Sequence, residues 1–161
     1  MTAKVVDLKE LVERAKQWRD AGKSIVATNG CFDLLHLGHV RYLQAARKFG
    51  DALIVGVNGD KSVRHLKGMG RPVNDERSRA EVLAALECVD LVAVFPEQRA
   101  TRFIEAAQPT RYVKGGDYTP ESLNEEERAA LEKMGAKIDI VPFVPGYSTS
   151  ELLTRLRAGP K

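Results

Sequence analysis

Cysteine, aromatic residues and long apolar runs are all scarce in this chain, and each shortage excludes something. Two cysteines in 161 residues, Cys31 and Cys88, are too few for a disulfide framework. A reducing cytoplasm is therefore the expected setting. No apolar run reaches the twenty or so residues that cross a bilayer, and the first residues lack the apolar core of a signal peptide, so no membrane partner is expected. Aromatic residues make up 6% of the chain, and no basic stripe is interleaved with them. The net charge of +3 comes from bases mixed with acids, as in "DLKELVERAKQWRD" and "NEEERAALEKMGAK". Such mixing marks solvated helix faces and argues against a nucleic-acid surface. There is no G-x-x-x-x-G-K-[ST] phosphate loop, and the G-x-G at Gly68 and Gly70 lacks a third glycine and the strand–helix setting of a dinucleotide fingerprint.

What remains is an alternation of elements. Residues 7–21 carry Leu8, Leu11, Val12, Ala15 and Trp18 at helical spacing, with Asp7 as N-cap and Gly22 as stop. Then come a strand at "SIVAT", a helix from about His39 to Phe49, and an unbroken apolar strand at "ALIVGV". After these, "ERSRAEVLAALECV" reads as helix, "LVAVF" as strand, "RATRFIEAAQ" as helix and "RYVKG" as strand. "PESLNEEERAALEKMG" reads as one helix, "KIDIVPF" as the last strand and "TSELLTRLRA" as a closing helix. Five strands alternating with helices specify an α/β domain with a parallel sheet and right-handed crossovers. Strands without polar alternation are buried on both faces, so helices cover both sides. Residues 1–23 are expected to form a helix lying on the domain or on a neighbouring subunit, and residues 24–161 the domain proper.

Ligands of such sheets bind beyond the carboxyl ends of the strands. There the sequence places "NGCFDLLHLGH", "NGDKSVRHLKGMGRPVN", "KGGDY" and "VPGYSTSE". Two of the chain's three histidines, His36 and His39, stand three apart at the start of a helix. They share one face with unpaired N–H groups and the positive end of the helix dipole. Anions bind in such a place, and Gly38 keeps the approach open. Donors fixed there suit attack on a nucleotide α-phosphate, where negative charge grows on the non-bridging oxygens. Three other readings stand beside this one: a pair of structural histidines, a metal site built from Cys31, His36, His39 and His65, and a Cys31 nucleophile.

"GCFDLLHLGH" resembles the H-x-G-H signature of the nucleotidyltransferase superfamily, in the form found in cytidylyltransferases and their relatives. "GYSTSELL" is similar to the G-x-S-T-T motif of that branch, and "ERSRAEVLAALECVD" to the segment carrying a substrate-binding arginine. "VNGDKSVRHLKGMGRPVN" with "YVKGGDY" resembles the heptose-1-phosphate adenylyltransferase family. That resemblance runs from about Ser24 to Leu156. It implies a single Rossmann-like nucleotidyltransferase domain with strand order 3-2-1-4-5, in the form that stands apart from a sugar kinase. It further implies transfer of AMP from ATP, carried with Mg²⁺, to heptose 1-phosphate for lipopolysaccharide or related glycans. A homo-oligomer, dimer or larger, is part of the same implication.

Carried over position by position, the resemblance makes His36, His39, Lys67 and Arg79 catalytic. The nucleotide would be held by Asn29, Gly30, Cys31, Phe32, His36, Gly38, His39, Lys114, Ser148, Thr149 and Ser150. The sugar phosphate would meet Asp33, Lys67, Arg71, Arg79, Lys114 and Asp117, with Lys67 in a loop folding over the site. Two features depart from the family pattern: Ser-Thr-Ser in place of Ser-Thr-Thr, and Tyr147 where a smaller residue is usual. The alternatives within reach are a cytidylyltransferase acting on glycerol 3-phosphate or another small phosphate ester, and a nucleotide-binding regulatory module without turnover.

Overall fold

Seven consecutive buried residues, Ala52–Asn58, form the strand β3 on which the rest of the sheet is ordered. The computed structural model describes residues 3–116 and 118–160. The remaining strands are β1 (Val5–Val6), β2 (Ile25–Gly30), β4 (Leu91–Phe95), β5 (Arg111–Gly115) and β6 (Lys137–Val141). The helices are α1 (Leu8–Asp20), α2 (Leu37–Arg47), α3 (Asp60–Lys67), α4 (Glu76–Ala84), α5 (Thr101–Ala107), α6 (Glu125–Lys133) and α7 (Thr149–Ala158). All six strands are parallel, in the order β1-β4-β3-β2-β5-β6.

The five strands expected from the sequence keep the order 3-2-1-4-5 among themselves. The sheet has six because Val5 and Val6 pair with Val92 and Ala93 on its outer edge. Two residues are too few to show any period, so this strand was invisible in the sequence. The same pairing ties the first residues into the domain. The next segment, α1, buries Leu11 and Ala15 in a cluster with Phe103 and Ile104 of α5, and Trp18 packs against it. Asp7 starts that helix by accepting the Glu10 N–H at 2.8 Å.

Hydrophobic cores lie on both faces of the sheet. On one, α1, α5 and α6 contribute Leu11, Phe103 and Leu131. On the other, α2 and α4 contribute Leu43, Ala46 and Leu83. The chain leaves β2 toward β3 on one side, whereas β5 pairs with β2 on the other. The order of the sheet therefore reverses at the β2–β5 boundary, and the C-terminal ends of these two strands open a crevice there.

Several element boundaries differ from the sequence reading, among them the end of α4, which stops at Ala84 rather than at Val89. The segment after β3 contains α3, so Lys67 ends a helix rather than riding in a loop. Its eight residues are mostly polar, which hid the period. The expected helix from Pro120 is a 3-10 turn, Pro120–Ser122, followed by α6. Asn124 interrupts the two by capping α6, accepting the Glu126 N–H at 3.0 Å. Finally, α2 begins at Leu37, two residues earlier than expected, which makes His36 its N-cap.

Candidate active site

The loop from Cys31 to Leu35 carries the chain from β2 into α2 and ends on the two histidines. His36 is the extended N-cap, and His39 is the third residue of the helix, so their rings stack at 3.9 Å between centroids and 25° between planes. His39 Nδ1 accepts the His36 backbone N–H at 3.4 Å. With Nδ1 an acceptor, the proton of the neutral ring belongs on Nε2. Burial and the neighbouring His36 push the His39 pKa down to about 4. Burial also lowers that of His36. Near pH 7 both rings of the free chain are neutral. His36 Nδ1 is buried without a hydrogen-bond partner.

Gly38 lies where two segments meet. A Cβ there would stand 2.9 Å from Tyr147 Cβ and 3.0 Å from the His36 ring. The missing side chain thus makes room for the segment that leads into α7. That helix is capped by Ser148, whose Oγ accepts the Glu151 N–H at 3.0 Å. As the first two residues of α7, Thr149 and Ser150 have N–H groups with no intrahelical acceptor. Two helix N-termini, of α2 and α7, therefore border one cavity of about 900 Å³. It is also lined by Asn29, Gly30, Cys31, Phe32, Lys67, Arg71 and Lys114.

Two expected substrate contacts have other partners. The Asp33 carboxylate has no exposed surface. It accepts the Val73 N–H at 2.8 Å, the Asn74 N–H at 2.9 Å and Arg71 Nε at 2.6 Å. Burial alone would raise this carboxyl, but the Asn74 and Val73 N–H groups and Arg71 outweigh it and hold the pKa below the ordinary value. Asp33 therefore clamps the segment 71–74 at the wall of the same cavity, which it helps to line. Arg79 has no exposed side-chain surface either. It donates to the carbonyls of Asn74 (3.0 Å) and Cys31 (2.6 Å) and to Asp60 Oδ1 (2.8 Å). Both ends of its guanidinium are spent on protein, and it is absent from the cavity lining. A bidentate grip on phosphate, expected of Arg79, does not fit this placement, in which its guanidinium joins the Cys31 loop, Asn74 and Asp60.

On the β5 side, Lys114 is nine-tenths buried and donates from Nζ to Asn29 Oδ1 at 2.8 Å. Burial lowers its pKa. The Tyr112 hydroxyl donates to the same Asn29 oxygen, and Asn29 Nδ2 reaches Asn58 Oδ1 at 3.4 Å. Asn58 in turn donates to Ser62 at 3.1 Å, so one polar chain crosses the ends of β3, β2 and β5. Gly116, at φ 76°, lies directly under the Phe143 ring, which leaves no space for a Cβ. Asp117 lies outside the described residues.

Among the described residues, no group of three or more His, Cys, Asp or Glu side chains is placed to hold a metal ion. His65 is exposed on α3, away from the cavity lining. The Cys31 thiol is raised by burial, although Lys67, Arg79 and Arg71 oppose the rise, which leaves it a weak nucleophile.

The family model described as cytidylyltransferase-like matches residues 27–155. The chain belongs to the cytidylyltransferase-like family. That match covers every site residue discussed here. Among its relatives, the bifunctional protein HldE of Geotalea uraniireducens is 50% identical over 157 residues, covering 98% of this chain and 32% of the relative. The bifunctional protein HldE of Rhodopseudomonas palustris is 54% identical over 150 residues, 93% of this chain and 30% of the relative. The chain spans about a third of the length of these curated relatives. Among solved structures, the lipopolysaccharide core biosynthesis protein of Thermoplasma volcanium aligns with a TM-score of 0.63 and 31% identity, over 76% of this chain and 98% of that one. A pantoate–β-alanine ligase of Francisella tularensis shares the fold alone, at 12% identity and a TM-score of 0.59, over 97% of this chain and 80% of that one.

Sequence reasoning passed over Asn58, Tyr42, Tyr112, Tyr118 and Glu127. All but Tyr112 line the cavity. Tyr42 and Tyr112 fall inside segments that read as helix and strand, and Glu127 is one acid in a solvated run. The one available signal was position: Asn58 ends a strand whose other residues are apolar.

Proposed function

We propose that this chain transfers AMP from ATP to heptose 1-phosphate, giving ADP-heptose and pyrophosphate. The observation that carries the chemistry is the pair of stacked imidazoles on the N-terminus of α2, facing one cavity with the N-terminus of α7. A triphosphate is the ligand that such a concentration of N–H donors suits. The sugar phosphate oxygen bonds to the α-phosphorus as the bond to the departing pyrophosphate breaks. The nucleophile is already ionised at neutral pH, so no general base is required, and catalysis rests on position and on stabilising charge. His36 and His39 donate to the oxygens that gain charge, and Lys114, Lys67 and Arg71 offset the remainder. Mg²⁺ enters with ATP and leaves with pyrophosphate as part of the substrate.

The choice of heptose rests on the "KGMGRPVN" and "KGGDY" segments and on 50% identity to a bifunctional protein HldE. Likeness to a lipopolysaccharide core biosynthesis protein supports glycan synthesis as the destination. No described helix is long and apolar enough to cross a membrane. We assign the reaction to the cytoplasm and the working form to a homo-oligomer.

Pyrophosphate release tests the reading, with ATP and CTP each paired with heptose 1-phosphate and glycerol 3-phosphate. Release confined to ATP with the heptose is expected. Release confined to CTP with glycerol 3-phosphate would overturn the substrate, and ATP binding without release for any acceptor would favour a regulatory module.

A further inference from the structure

We propose that the lobe of the cavity anchored by Glu127 reads the hydroxyl groups of the acceptor sugar, an inference that rests on the function proposed above. The three acids at the start of α6 share one composition but not one environment. Glu125 and Glu126 are exposed, whereas Glu127 is 8% exposed and lines the cavity. A buried carboxylate is costly unless its oxygens find donors. One of them, Oε1, accepts the Ala100 N–H at 2.7 Å and so caps the start of α5. Among the described residues Oε2 has no hydrogen-bond partner, and it is not among the sealed polar atoms. One oxygen is structural; the other is open to whatever enters the cavity.

The surroundings select the kind of group that enters. Gln98, Arg99, Ser122 and Asn124 rim this lobe from the loops before α5 and α6, on one face of the sheet. Phe143, Pro145 and Tyr147 rim the cavity from the segment between β6 and α7. A nucleobase has broad apolar faces and suits aromatic and proline walls, with a hydrogen-bonded edge. A polyol presents hydroxyls in every direction and suits a lobe that mixes amides, a hydroxyl, a guanidinium and a carboxylate. The Glu127 carboxylate accepts hydrogen bonds and cannot donate them, so the group it meets is a donor. A pair of sugar hydroxyls on one carboxylate oxygen, with Gln98 alongside, satisfies each of these conditions.

The test compares the wild-type chain with Glu127→Gln, which keeps the oxygen that caps Ala100 and removes the charge. Pyrophosphate release is measured with ATP and heptose 1-phosphate, then with monodeoxy analogues of that sugar. In the wild type, removal of at least one hydroxyl is expected to lower kcat/KM about ten- to a hundredfold, the range of a hydrogen bond to a charged group. Glu127→Gln is expected to show that loss with the intact sugar, to ignore the same deoxygenation, and to keep KM for ATP within about twofold. Should this variant fail to fold, Gln98→Ala, at an exposed position, is expected to raise KM for the sugar phosphate about three- to tenfold and leave KM for ATP alone. A wild type indifferent to every deoxygenation, or variants that move KM for ATP instead, would overturn the assignment. Lack of turnover with heptose 1-phosphate takes down the functional reading and this inference together. Turnover without hydroxyl discrimination takes down this inference alone.

Discussion

Replacing Asp33 by Asn should cost far more than a change of one atom suggests. The wild-type carboxylate is fully buried and serves three donors: the Val73 and Asn74 N–H groups and Arg71 Nε. Asn keeps one carbonyl oxygen, which can still serve the two backbone groups. In place of the second it turns an NH₂ toward Arg71. The lost charged hydrogen bond is worth about 1.5–3 kcal/mol, reduced because Arg71 is 15% exposed and can reach water. Donor against donor adds roughly 1 kcal/mol, for a total of about 2–4 kcal/mol. The sign with pH follows from the depressed carboxyl. Its stabilisation is complete above the unfolded value near 3.9 and is lost as pH falls through the lower folded value. Urea unfolding should therefore show a gap of about 2–4 kcal/mol at pH 7 that closes progressively below pH 4. A gap under about 0.5 kcal/mol at pH 7, or one that persists undiminished at pH 3, would refute the clamp.

Gly38→Ala tests the meeting of α2 with the segment before α7: helix propensity favours Ala by about 1 kcal/mol, so Tm should hold. The new methyl would stand 2.9 Å from Tyr147 Cβ and 3.0 Å from the His36 ring, and turnover should fall at least about tenfold. Equal turnover in the two proteins would contradict this. The neutral histidine pair makes a calorimetric prediction, because a bound triphosphate favours the imidazolium forms. ATP binding near pH 6 should take up protons, read as a dependence of the binding enthalpy on buffer ionisation, and the absence of uptake would count against contact. In the free chain, His39 binds fewer protons than its unfolded counterpart between pH 6.5 and about 4, so stability should rise with pH across that window. His39→Asn should flatten that rise in urea titrations.

The sheet was legible because its strands are apolar throughout: a run such as "ALIVGV" has few other places to go. The crevice followed from the concentration of unusual residues after those strands, and the histidines from their spacing at a helix start. Three things were hidden, each for a physical reason. Val5–Val6 is too short to carry a period. Resemblance to family motifs assigns Asp33 and Arg79 to substrate; only the folded chain shows that the backbone of residues 73–74 and the Cys31 carbonyl engage them. Glu127 differs from Glu125 and Glu126 in nothing but depth, and depth depends on where Ala100 falls in the fold.

The most direct test of the account is pyrophosphate release from ATP and heptose 1-phosphate by His39→Ala, with ATP affinity measured on the same preparation. Loss of one preorganised donor to the transition state costs roughly 3–4 kcal/mol, so turnover should fall about a hundred- to a thousandfold. ATP affinity should change much less. Turnover within about threefold of wild type, with the fold intact, would contradict the assignment of the histidine pair and the mechanism built on it.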